Sequence, residues 1–196
     1  MIYLVLTILQ STLIFVVFKL FNNFRINNLQ AITTNYLVAS IFGFLIYSEE
    51  ITVQTFTGAS WLGLGVFLGF LFIVVFNIFA LSSQKAGIAL TSVASKMSVI
   101  IPVGLGVWMY HDDVNAMKVL GLLAALLAFY LTLKKSGNGI ADKRLFIFPV
   151  LLFLGNGIVD SVMKYAQHHH IRDDLILFLC VVFITAFILG SIVLVY

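Results

Sequence analysis

NIFALSSQKAGIALTSVASKMSVIIPVGLGVWMYHDD, residues 77–113, decides how the chain is read. An apolar run ends, a tight polar turn follows at 82–86, and a second apolar run begins. That second run carries Lys96 near its middle and Pro102 a little later. A lysine deep in a bilayer costs about 2.5–3.5 kcal/mol on insertion scales, so it stays there only with a partner or a watery cavity. At about 100° per residue, Gly87, Thr91, Ala94 and Ser98 share one side of a helix, and Ser92 and Lys96 fall roughly opposite. The first row reads as a packing face and the second as a face turned to water or to a polar partner. Pro102 removes one backbone hydrogen bond, which predicts a kink or weakened turn a little beyond Lys96.

Composition agrees with a membrane setting. Of 196 residues, 62% are hydrophobic and 10% charged, where a soluble domain has about 25% charged residues. The mean hydropathy is +1.12, and a soluble fold of this length cannot hide so much apolar surface. A formal charge of +3, scattered between apolar runs, argues against nucleic acid as a partner. The single cysteine, Cys180, lies in an apolar run, so no intramolecular disulfide forms. No basic residue precedes the first apolar run and no small-residue cleavage site follows it; it reads as a retained helix, not a signal peptide. The sequence holds no HExxH, Walker or GxSxG pattern, so the expectation is a non-enzyme without ATP use or a cofactor.

A helical span needs about 20 apolar residues. Seven runs qualify: 2–21, 29–47, 58–81, 87–110, 116–133, 145–166 and 175–196. They are about twice the length of a tilted barrel strand and do not alternate apolar with polar. The fold class is therefore all-α, a polytopic transmembrane helix bundle. Trp61, Trp108, Tyr47, Tyr110 and Tyr165 fall near the ends of runs, where interfacial anchors sit. The third run has Gly65-x3-Gly69, then Ile73 and Asn77 on one drifting row; small residues so spaced let helix backbones approach. The fifth repeats the theme with Gly121, Ala125, Ala128 and Thr132, which predicts tight packing and no chemistry. The sixth sets Asn156, Asp160 and Lys164 on one polar row, with Asp160 four residues before Lys164, the favourable order for an ion pair. Asn35, Asn77 and Asn156 read first as interhelical glue. Lys19 and Lys164 read as helix-end residues reaching for the interface. His168, His169 and His170 are sequence neighbours that rarely point at one centre, so no metal site is expected.

KKSGNGIADKR, 134–144, is the longest linker and marks a boundary. KLFNNFRI (19–26) superposes without a gap on KYAQHHHI (164–171), each closing an apolar run and leading through a polar turn into another. The same offset carries the start of the chain onto Phe146, just past the linker. The predicted organisation is a first five-helix repeat over 1–135, a linker at 136–144, and the first two helices of a second repeat over 145–196. An odd-numbered unit that repeats must be inverted in the membrane, a common transporter design.

With those residues laid out, the chain resembles the drug/metabolite transporter superfamily, in particular its EamA-like branch. FALSSQKAGIALTSVASKMSVIIPV resembles that family's third helix, turn and proline-bearing fourth helix. YHDDVNAMKVLGLLAALLAFYLTL resembles its acidic turn and Gly/Ala-rich fifth helix, with His111, Asp112 and Asp113 where a glutamate is usual. The resemblance implies ten helices in two inverted five-helix repeats around a central substrate cavity; the last three would lie beyond this sequence.

Lys19, Arg25, Lys85, Lys134, Lys135, Lys143 and Arg144 flank loops on one side, against Lys118, Lys164 and Arg172 on the other. The positive-inside bias then puts the N-terminus outside, whereas the resemblance implies an inside N-terminus. The candidate binding set is Lys96, Ser92, Asn77, Asn156 and Asp160, with Lys96 taking an anionic or carboxylate-bearing substrate; its structural alternative is a partner for Asp160 or for helix-end carbonyls. The functional expectation is a secondary transporter of a small metabolite or drug-like compound in the bacterial inner membrane, with the lipid bilayer as its other partner and homo-oligomerisation left open. The alternative is a non-transporting membrane scaffold, or an inactive truncated relative completed by a partner.

Overall fold

A computed structural model describes residues 2–47, 59–110, 115–136, 143–171 and 175–195. The described residues are helical, with no strand among them. The helices are α1 (Ile2–Asn23), α2 (Asn28–Ile46), α3 (Leu62–Lys85), α4 (Ile88–Met97), α5 (Ile100–Tyr110), α6 (Ala116–Ser136), α7 (Ile147–His169, after a 3-10 turn at Lys143–Phe146) and α8 (Leu175–Val195). Six stretches are long and apolar enough to cross a membrane: Val5–Asn23, Asn28–Ile46, Leu62–Lys85, Ile88–Met109, Ile147–His169 and Leu175–Val195. α6 is apolar over the shorter stretch Val119–Thr132. The protein is a multi-pass helical membrane protein, because only helices with internally satisfied backbones or closed barrels cross a bilayer.

The expected fourth span is broken. α4 stops at Met97 and α5 starts at Ile100. At the break the Ile101 amide donates to Ser98 O at 3.0 Å and the Val103 amide to Val99 O at 3.1 Å. Pro102 has no amide proton to offer the Ser98 carbonyl, so the helix tightens by one residue there and restarts.

The chain forms two compact units, Met1–Asn28 with Ile78–Ile158, and Leu29–Asn77 with Val159–Tyr196. Each draws on both sides of the 136–144 linker, so the units interleave the two sequence halves instead of following them.

In the first unit α4 packs against α1 and α6. The expected packing stripe holds: Thr91, Ala94 and Ser98 are buried. Its hydroxyls are spent locally. Thr91 donates to Gly87 O at 2.8 Å and meets Ser82 Oγ at 2.8 Å; Ser98 donates to Ser95 O at 2.7 Å. α3 passes into α4 at Gly87, whose φ of 96° favours a residue without a Cβ. Phe79 stacks on Phe15 (4.9 Å between ring centres) and meets Phe18 edge-on (5.2 Å). On α7, a Cβ at Gly157 would collide with Ile101.

The second unit is held by a seam of small residues. A Cβ at Gly69 would lie 2.6 Å from Thr185 Cβ and 2.7 Å from Val182 O; at Gly65 it would lie 3.2 Å from Val181; at Gly43 it would meet Cys180 Sγ. The Gly65-x3-Gly69 row of α3 is therefore the face against α8, and Ile73 continues it to Gly190. Lipid tails are as apolar as leucine, so such close backbone contact, not hydrophobic exclusion, holds these helices. Trp61 is 4% exposed and packs edge-on to Phe178; it is a core residue and not the interfacial anchor its position suggested. The matching row on α6 behaves differently. Gly121 has nothing within 4 Å of its Cβ position, and Ala128 is exposed. The expected tight packing of α6 is absent at these residues because no described element of its unit covers that face.

The two turns that superpose in sequence close alike. The Ile26 amide reaches back to Phe21 O at 2.9 Å, and the Ile171 amide to Ala166 O at 3.0 Å, in the same register of the proposed repeat.

Candidate functional site

Of the five residues singled out by sequence, Lys96, Ser92 and Asn156 belong to the first unit, and Asn77 and Asp160 to the second. The first three lie on α4 and α7, and a serine on α1 joins them. Lys96 is exposed on the face of α4 opposite the packing stripe, its Nζ 3.4 Å from Ser11 Oγ. Ser11 gives its own proton to Thr7 O at 2.8 Å, so it can only accept from Lys96. One turn of α4 away, half-buried Ser92 lies on the same face. Beside Lys96, Ser95 Oγ accepts a 2.9 Å hydrogen bond from Asn156 Nδ2. Asn156 thus does the interhelical bonding expected of it, and its side chain ties α7 to the residue next to the lysine.

The charged residues described in the first unit are all basic. The described residues of the first unit include Lys19, Arg25, Lys85, Lys96, Lys118, Lys134, Lys135, Lys143 and Arg144, and no Asp or Glu. Lys96 therefore has no carboxylate to neutralise it among the described residues of its unit. An ammonium carries three donors. One long bond to a neutral hydroxyl leaves capacity for an anion or water, and in a span that capacity is costly unless used. The helix break lies immediately beyond, at Ser98 and Val99.

The other two candidates belong to the second unit. Asn77 donates to Ile73 O at 2.7 Å, one turn back on its own helix, so this amide proton braces α3 and does not bridge to a neighbour. Asp160 is exposed on α7, one turn before half-buried Lys164. Lys19, near the end of α1, reaches Gln84 O with its Nζ at 3.4 Å. His170 Nδ1 lies 3.0 Å from Ser60 Oγ, and His169 stacks on Tyr165 at 4.5 Å. Among the described residues, no three His, Cys, Asp or Glu side chains are grouped as a metal would need. His111, Asp112 and Asp113, in the acidic turn, and Arg172 lie outside the described residues.

Sequence reasoning missed Ser11 and Ser95 as members of the site. Ser95 is three residues after Ser92 and carried a signal that the i, i+4 reading passed over. Ser11 had none beyond polarity, because only the packing of α1 on α4 brings it to Lys96.

No family model matches the chain, and no solved structure matches it. An uncharacterised protein of Haemophilus influenzae (strain KW20 / Rd) is 25% identical over 171 residues. The match takes in 82% of this chain, which spans 57% of the length of that curated relative.

Proposed function

We propose that this chain is part of a secondary transporter that moves a small organic anion across a bacterial inner membrane without ATP, of the EamA-like drug/metabolite kind. The observation that carries the reading is Lys96: a cation within a span, with no acid among the described residues of its unit, beside Ser11, Ser92 and Ser95 and two residues before a helix break. Discontinuous spans with polar groups at the break are the usual construction of transporter binding sites. The shared closure of the 19–26 and 164–171 turns supports a repeat.

The test is uptake into proteoliposomes holding the purified protein, using a panel of small carboxylates, phosphate esters and organic cations. Saturable uptake of at least one anion above empty liposomes, without ATP, is the expected result. A folded protein that takes up no member of the panel favours a scaffold role.

A further inference from the structure

Where α1 ends and α3 turns into α4, an amide pair joins two segments that carry three cations between them, Lys19 and Arg25 on one and Lys85 on the other. Gln84 donates to Asn28 Oδ1 at 2.7 Å and to Phe18 O at 3.0 Å, and Asn28 donates back to Gln84 Oε1 at 3.1 Å. This knot fixes the C-terminal turn of α3 against Phe18 of α1 and against Asn28, the first residue of α2. Lys19 reaches the Gln84 carbonyl from one side. Lys85, the next residue, is exposed with its Nζ 4.8 Å from the centre of the Phe148 ring. Arg25 is exposed in the turn after α1 at φ 55°. Glycine or asparagine takes that conformation at far lower cost, so a cation is held where helix-end geometry alone asks for a smaller residue.

No acid among the described residues of this unit neutralises the three. Lys19 lies four residues before the end of the span Val5–Asn23, Arg25 two residues past it, and Lys85 ends the span Leu62–Lys85. That is headgroup depth, where lysine and arginine clusters attract anionic lipid. Phe24, next to Arg25, is 72% exposed, an apolar neighbour suited to acyl chains and not to water. The positive end of the α4 dipole opens at the same turn, at Gly87, and adds to the field.

We propose that Lys19, Arg25 and Lys85 bind the phosphate of an anionic phospholipid, with Phe24 and Phe148 against the glycerol and upper chains. The proposal rests on the membrane setting alone, not on the transport reading. Its test is the thermal unfolding of the purified chain in detergent micelles doped with phosphatidylglycerol or phosphatidylcholine, read as the lipid fraction giving half the maximal rise in Tm. Phosphatidylglycerol should raise Tm, and phosphatidylcholine much less. Each neutralised cation should raise the half-saturating fraction roughly fivefold, and Lys19→Gln, Arg25→Gly and Lys85→Gln together ~100-fold. Arg25→Gly suits the local backbone, so it keeps the test decisive if the triple variant does not fold. An unchanged half-saturation in Arg25→Gly, an equal response to phosphatidylcholine, or the same rise from millimolar inorganic phosphate would overturn the proposal.

Discussion

Lys96 Nζ stands 3.4 Å from Ser11 Oγ, and that hydroxyl has already given its proton to Thr7. The serine is therefore an acceptor that orients the ammonium without neutralising it. A neutral acceptor positions a charge and leaves its field available to a ligand. Ser11→Ala should weaken anion uptake by a modest factor, about fivefold in KM, since a single hydrogen bond contributes about 1 kcal/mol. The turnover number and thermal unfolding should stay near wild type. A loss of folding would mean that the contact is structural.

The break between α4 and α5 depends on Pro102. In Pro102→Ala the new amide proton can complete the bond to Ser98 O that the sequence now withholds. The variant should unfold at higher temperature and transport more slowly, because a continuous helix has lost its pivot. Paired thermal-unfolding and uptake measurements check this, and faster uptake in a more stable variant would go against it.

Gly69 and Gly121 look alike in sequence and differ in surroundings. Gly69→Val should destabilise by about 1–3 kcal/mol, since even the first added carbon meets Thr185 and the Val182 carbonyl. Gly121→Ala should be tolerated or mildly stabilising, because its Cβ position is open. Chemical or thermal unfolding in detergent distinguishes the two.

The basic residues at the Lys19 end should face the cytoplasm. Asn23→Cys places a thiol at an exposed polar position at the end of α1, while the native Cys180 is buried and gives little background. A membrane-impermeant maleimide should label this variant in inverted vesicles and not in intact cells. Labelling in intact cells would reverse the topology.

The spans were legible because length and apolarity suffice to mark them: the run read at 29–47 is the helix Asn28–Ile46, and 175–196 is Leu175–Val195. The break beyond Lys96 was legible for the same local reason, a missing amide at Pro102. Which small-residue row would pack was not legible. Gly65-x3-Gly69 and the Gly121 row carry equal patterns, and only the presence of α8 opposite the first separates them. Trp61 misled because a tryptophan at a span end reads as an anchor until Phe178 is found against it. At the site, Lys96 and Ser92 were visible from helical spacing, and Asn156 from its polar row. The Asn156–Ser95 and Lys96–Ser11 bonds are long-range contacts that no local pattern encodes.

The central claim is that Lys96 recognises a negative charge within the membrane. Uptake by Lys96→Gln in proteoliposomes tests it most directly, using the anion that wild type carries best and Lys96→Arg as a charge-preserving control. The prediction is a loss of roughly 10- to 100-fold in uptake for Lys96→Gln, the size of a hydrogen bond to a charged group, with normal unfolding and partial retention in Lys96→Arg. Wild-type uptake by a folded Lys96→Gln protein would contradict it.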